Sequence, residues 1–318
     1  MSFDLLPIDP AIWRGRVDAT ETGDATRWHQ HVKPWLRGAP GGVALVGFAC
    51  DLGVRRNHGR PGAAAGPEAI RRALAGLAWH QPQSVWDAGD VRVDEARDDL
   101  EDGQAFLAGT VADLLDEGHR VIALGGGHEI AFGTFAGLAR HAGAKGETIG
   151  VVNVDAHFDL RAGPRGTSGT PFREIAEHCA ASGRPFRYLC LGVNEDANTR
   201  ALFDTARRLG AEWRLDTDMG FDRHEETRAQ LARFLESVDR VHLSLDLDAL
   251  PAAVAPGVSA PAARGVSLEL VEAIVGDVAA SGKLRLADIA ELNPAFDVDG
   301  RTARVAARLV ARIARQGA

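Results

Sequence analysis

The chain has 318 residues, 45% of them hydrophobic and 25% charged, with a formal net charge of -8. This is the balance of a soluble globular protein with a large core, and its acidity offers no basic face for nucleic-acid phosphates or an anionic membrane surface. A small-molecule substrate is therefore expected, and three scattered cysteines without a CxxC pair argue against a disulfide framework or thiolate zinc site and for a reducing cytoplasm.

In chain order, residues 1–40 carry acids and prolines where a signal peptide would carry a basic stretch and then an apolar one. With Trp13, Trp28 and Trp35 among polar residues, they read as an N-terminal extension packed on a single domain spanning 1–318. Short apolar, β-branched runs then recur at 42–50, 119–127, 148–156, 187–193, 241–249 and 284–292. Each has the composition of a strand buried on both faces. Helical spacing fills 98–118, 129–142, 197–209, 225–238, 267–280 and 301–316. Strand and helix alternate throughout, which predicts an α/β fold with a mostly parallel sheet between two helical layers. In such a fold, ligands bind beyond the carboxyl ends of the strands.

Three of those strand ends carry the same chemistry. The first reads "LGGGHEIAFG", where Gly125, Gly126 and Gly127 permit a sharp turn and His128 opens the next helix. It lacks the spacing of either a P-loop or a dinucleotide fingerprint. The second, "NVDAHFDLR", sets Asp155, His157 and Asp159 at alternate positions, so their side chains converge if extended backbone persists through residue 159. The third, "VHLSLDLDAL", repeats the pattern with Asp246 and Asp248. Any one of these could be a helix cap or an acidic turn. Together they gather four carboxylates, Asp155, Asp159, Asp246 and Asp248, and two imidazoles, His128 and His157. Ionised carboxylates crowded at buried strand ends repel one another, and two divalent cations between them would balance their charge. Oxygen and imidazole donors without thiolate favour Mn²⁺, with Fe²⁺, Ni²⁺, Co²⁺ and Zn²⁺ as alternatives.

These motifs, with "GVRRNHGRPGAAAGPEAIR", "SGTPFR", "APGVSAPAARG" and "ELNPAFDVDGRTARVAARL", resemble the ureohydrolase superfamily of arginases, agmatinases and formimidoylglutamases over about residues 42–313. The resemblance implies a three-layer fold with an eight-stranded, mostly parallel sheet, two manganese ions per chain, and a homo-oligomer. It assigns one ion to His128, Asp155, Asp159 and Asp246, and the other to Asp155, His157, Asp246 and Asp248, with Asp155 and Asp246 bridging. The wording is most similar to the formimidoylglutamase branch: "GGGHE" stands where arginases and agmatinases usually read GGDHS, and Phe172 stands near the position of the arginase proton-relay histidine.

That branch implies metal-assisted hydrolysis of the amidine carbon of N-formimidoyl-L-glutamate, giving L-glutamate and formamide. Asp159 is the candidate proton carrier and Glu291 the candidate partner of the cationic amidine. Arg161, Arg60, Arg173 and Asn57 are candidate contacts for the substrate carboxylates, Arg161 first. His58, His119 and His242 read as structural or exposed. The alternatives are an arginase, agmatinase or other guanidino-acid hydrolase, and, in a different class, a non-catalytic metal-binding protein. A single-zinc deacetylase-like site would require a His pair that the sequence lacks.

Overall fold

The computed structural model describes residues 5–94, 96–143 and 146–315. Nine strands form one sheet in the order β1-β3-β2-β4-β9-β8-β5-β6-β7, and every pairing is parallel. The strands are β1 Lys33–Pro34, β2 Val43–Ala49, β3 Val85–Arg92, β4 Arg120–Gly125, β5 Ile149–Val154, β6 Arg187–Val193, β7 Glu212–Leu215, β8 Arg240–Asp246 and β9 Leu284–Ala290. The helices are α1 Leu52–Arg56, α2 Gly66–Ala75, α3 Leu100–Asp116, α4 Ile130–Gly143, α5 Pro171–Ala181, α6 Arg200–Leu209, α7 His224–Glu236, α8 Leu268–Ala280 and α9 Arg301–Arg315. All six strands and all six helices expected from the sequence are present.

The sheet exceeds the expected eight strands by one, because Lys33–Pro34 pairs with Trp86–Asp87 at its edge. A proline is tolerated there, where one side of the strand has no neighbour to receive an N–H. The extension is thus more than a surface layer: Leu6 exchanges backbone hydrogen bonds with Asp90, and Trp28 is fully buried in the core.

Burial on both faces follows from the alternation of side chains along each strand. In β2, Val43 and Leu45 join one core cluster, whereas Ala44, Val46 and Phe48 join the other. The first cluster packs under α2, α7, α8 and α9, and the second under α3, α4, α5 and α6. Strand β3 escapes an apolar-run criterion because it carries Asp87 and Asp90, both buried. Arg71 of α2, with no exposure, donates to both Asp87 oxygens at 2.9 Å and to Asp90 Oδ1 at 2.6 Å. Trp13 Nε1 adds a fourth donor at 2.8 Å, so the buried acids are paired and the extension is fastened to the strand. Among the described residues, no helix is long and apolar enough to cross a membrane.

The order places β4, β9, β8 and β5 side by side at the centre of the sheet. Their carboxyl ends carry His128, Glu291, the Asp246–Asp248 pair and the Asp155–Asp159 segment respectively.

Candidate metal centre

The acids and imidazoles converge by a local device that strand alternation does not supply. Strand β5 ends at Val154, and Asp155 turns its Oδ1 back to accept the His157 amide at 2.7 Å. Asp246, the last residue of β8, does the same with the Asp248 amide at 2.8 Å. Asp side chains favour such turns because they satisfy a backbone donor two residues on. In both cases Oδ2 is then left facing His128. The expectation of extended backbone through residue 159 is corrected: Asp159 sits at φ 46°, in the left-handed region. Glu291 also lies there, at φ 69°. Such a conformation costs a non-glycine residue about 1–2 kcal/mol, so the surrounding contacts must hold both carboxylates in place.

Two groups of donor atoms result, each with its atoms within 4.8 Å of one another. One comprises His128, Asp155, Asp159 and Asp246; the other comprises Asp155, His157 and Asp248. His128 Nδ1 stands 3.1 Å from Asp155 Oδ2 and 3.0 Å from the Oδ2 atoms of Asp159 and Asp246. His157 Nδ1 lies 3.1 Å from Asp248 Oδ2 and 3.5 Å from Asp155 Oδ1. Asp155 belongs to both groups, whereas Asp246 enters only the first.

A buried layer behind the first group sets the proton on His128. Ser244 Oγ donates to Asp288 Oδ1, which leaves its lone pairs to accept from His128 Nε2 at 2.9 Å. That assignment keeps a proton on Nε2 and leaves Nδ1 facing the carboxylate pocket, where its lone pair would be available to a cation that replaces its proton. Asp288 is itself held by Thr134 Oγ1 at 2.8 Å and by His242 Nε2. Asp155 Oδ2 accepts from Asn153 Nδ2 at 2.9 Å, and Asn153 is braced by the Tyr188 hydroxyl. Sequence reading missed Ser244, Asp288 and Asn153 and left His242 as structural or exposed. The legible signal was Asp288, an acid in the middle of an apolar strand run.

Electrostatics at this strand edge are strained as long as only protons balance the acids. Burial alone would depress the His128 imidazole, but hydrogen bonds to Asp155, Asp159 and Asp246 hold it well above its usual range. Burial and the charge of Asp155 push Asp159 up to about 6, and burial with neighbouring carboxylates raises Asp246 and Asp248. Among the described residues, Asp248 Oδ1 is buried without a hydrogen-bond partner, and His128 Nδ1 meets only the three crowded carboxylates. Oxygen and imidazole atoms converging at this spacing, with orphaned lone pairs among them, fit a pair of divalent cations.

Glu291 follows β9 directly, and its Oε1 accepts the His128 amide at 3.0 Å. Its Oε2 is buried and unpartnered among the described residues, and burial, followed by the charges of Glu129 and Asp248, raises the carboxyl to about 8. Glu129 explains the wording of "GGGHE". Its Oε1 accepts the Gly53 amide at 2.8 Å, and a Cβ on Gly127 would collide with its Oε2. The residue before His128 is glycine because the carboxylate arriving from the residue after it fills that space.

The four candidate carboxylate contacts separate. Arg161 is exposed, has no ion pair among the described residues, and packs its stem against Gly169. Asn57 borders the same glycine and donates to Ser168 Oγ at 3.1 Å. Arg60 is instead engaged by the Ser259 and Val258 carbonyls and lies 4.0 Å over the Phe296 ring. Arg173 pairs with Glu177 at 2.9 Å along α5. Phe172 meets His128 edge-on at 5.2 Å and stacks on Tyr188 at 4.7 Å, so this position packs the centre.

The parallel three-layer sheet and the acid-imidazole cluster at its carboxyl edge are those of an arginase-type protein, and the chain belongs to the Arginase family, whose model matches residues 41–315. Among relatives, the formimidoylglutamase of Ralstonia nicotianae is 57% identical over 310 residues, covering 96% of this chain and 95% of its own. That of Chromobacterium violaceum is 54% identical over 308 residues, covering 97% and 98%. The crystal structure of Trypanosoma cruzi formiminoglutamase with Mn²⁺ superimposes with a TM-score of 0.77 at 26% identity, covering 86% of this chain and 93% of that one.

Proposed function

We propose that this chain hydrolyses N-formimidoyl-L-glutamate to L-glutamate and formamide, with two divalent cations, Mn²⁺ first among them, at the carboxyl edge of the sheet. The observation that carries the reading is the gathering of His128, Asp155, Asp159, Asp246, His157 and Asp248 into two adjoining donor groups, in a chain more than half identical to the formimidoylglutamase relatives over nearly its whole length.

His128, Asp155, Asp159 and Asp246 would hold one cation and Asp155, His157 and Asp248 the other, Asp155 being common to both. Such a pair supplies Lewis acidity and lowers the pKa of water toward neutrality. The residues of this chain supply orientation and proton transfer. Glu291, with Oε2 free of partners among the described residues, pairs with the cationic amidine and holds its carbon over the donor cluster. Asp159 takes the proton released by the attacking water on Oδ1, the oxygen not turned to His128 Nδ1, and returns it to the departing glutamate nitrogen. Arg161, beside Asn57, offers its planar fork to a substrate carboxylate. The same reading carries a homo-oligomer acting in the cytoplasm on a small molecule, with neither nucleic acid nor membrane as partner.

Product identification tests it. With Mn²⁺-loaded protein and formimidoylglutamate, equal amounts of formamide and glutamate are expected, and arginine, agmatine and guanidinobutyrate should turn over far more slowly. Ammonia with formylglutamate as products, or arginine as the preferred substrate, would reject the assignment.

A further inference from the structure

The amino-terminal edge of the sheet, opposite the donor cluster, carries a polar cavity of about 680 Å³, lined in part by Arg120, Arg240, Arg285, His119, His141 and Asp116. Arg120 opens β4, Arg240 opens β8, and Arg285 is the second residue of β9, which lies between them. Val121 pairs with Leu286, so one step back along that parallel register sets Arg120 beside Arg285 on the same face. Neighbouring strands lie about 4.8 Å apart, which puts two guanidinium stems side by side at the mouth of a cleft. Each lowers its own tendency to stay charged: burial, then the Arg285 charge, depresses Arg120, and burial, then the Arg240 charge, depresses Arg285.

The carboxylates nearby are committed elsewhere. Arg240 takes Glu147, and Asp116 faces His141 Nδ1 at 2.5 Å. Neither Arg120 nor Arg285 has a carboxylate partner among the described residues; Arg285 donates only to the Leu284 carbonyl at 3.2 Å, and Glu147 reaches it through its field alone. Among the described residues, Arg120 Nε is buried with no hydrogen bond, as are both ring nitrogens of His119 beside it, whose Nε2 lies 4.0 Å from Glu117 Oε2. Helices α3 and α8 bring their carboxyl ends to this edge, and the carbonyl dipoles soften the repulsion with no more than about half a charge each. An orphaned buried donor is costly.

We infer that this cavity is a binding site for a small dianionic oxyanion, held by the forks of Arg120 and Arg285 at the end of the sheet remote from the metal centre. Two unpaired guanidiniums match two negative charges, and their planar donors suit either a phosphate-type tetrahedron or a dicarboxylate. The six residues of β4 separate the site from the metal centre by roughly 17 Å of strand, so the two need not compete for one ligand.

Calorimetric titration of the Mn²⁺-loaded protein with sodium sulfate, and separately with glutarate, at ionic strength fixed by chloride, tests the site. One anion per chain should bind saturably, and the Arg120→Gln/Arg285→Gln double variant should bind about tenfold or more weakly while hydrolysing formimidoylglutamate as before. Binding of sulfate alone identifies a phosphate-type ligand, and binding of glutarate alone a dicarboxylate. Should the double variant fail to fold, each single variant carries the same test, with the added expectation that relief of repulsion leaves its melting temperature in dilute chloride at or above that of the parent. Titrations in which neither anion binds, or in which the variants bind as tightly as the parent, overturn the proposal.

Discussion

Replacing Ser244 with alanine separates the two donor groups. Among the described residues, His128 Nε2 meets no acceptor but Ser244 Oγ, which in turn donates to Asp288. Without it, the imidazole proton at Nε2 is buried without a partner, which costs about 1–3 kcal/mol. A cation displaces the proton that Nδ1 shares with three carboxylate oxygens at 3.0–3.1 Å in parent and variant alike, but in the variant it leaves the Nε2 proton buried and unpaired. A penalty of that size corresponds to roughly 5- to 150-fold, which brackets the 10- to 100-fold typical of lost partners behind a metal-binding histidine. The group of Asp155, His157 and Asp248 meets Ser244 only indirectly, through the shared Asp155, so its affinity should fall by less than that of the first group. Competition calorimetry with Mn²⁺ against a chelator reads both sites. Equal weakening of the two, or no weakening of either, would refute the tautomer argument.

Arg161→Gln should raise KM for formimidoylglutamate by about 10- to 100-fold with little change in kcat, since a charged hydrogen bond to the substrate is lost before and during the reaction alike; steady-state kinetics check this, and a kcat effect at unchanged KM would contradict it. Gly127→Ala forces a methyl against the Glu129 carboxylate and Val54, and should cost about 1–3 kcal/mol, read as a lower urea midpoint. Hydrogen bonds from Arg165 and Arg56 outweigh burial and hold Glu101 at about 2, below its ordinary 4.5. Its folded value being depressed, its contribution to stability is complete above pH 4.5 and disappears as pH falls toward 2; Glu101→Gln should flatten that part of the stability profile, and parallel profiles would argue against it.

The sequence disclosed the parts of this protein that obey simple patterns. Strands β2, β4, β5, β6, β8 and β9 were legible because both faces are apolar. Strand β3 was not, since Asp87 and Asp90 are made buriable by Arg71, a residue of the preceding helix whose role no local pattern announces. Strand β1 has two residues and β7 has four, none of them fully buried, so neither leaves a hydrophobic trace. The six donor residues could be named because their spacing repeats at successive strand ends. Their means of convergence could not, because paired Asp turns and left-handed backbone at Asp159 depend on hydrogen bonds rather than on residue type. Ser244 and Asp288 act through His128 across two neighbouring strands, a relation set by sheet order.

The most direct measurement is elemental analysis of protein loaded with Mn²⁺ and passed through a desalting column, alongside an Asp155→Asn variant. Two manganese ions per chain are predicted for the parent, and loss at both sites for the variant, because Asp155 alone serves both donor groups. A parent that retains none, or a variant that retains both, would contradict the account.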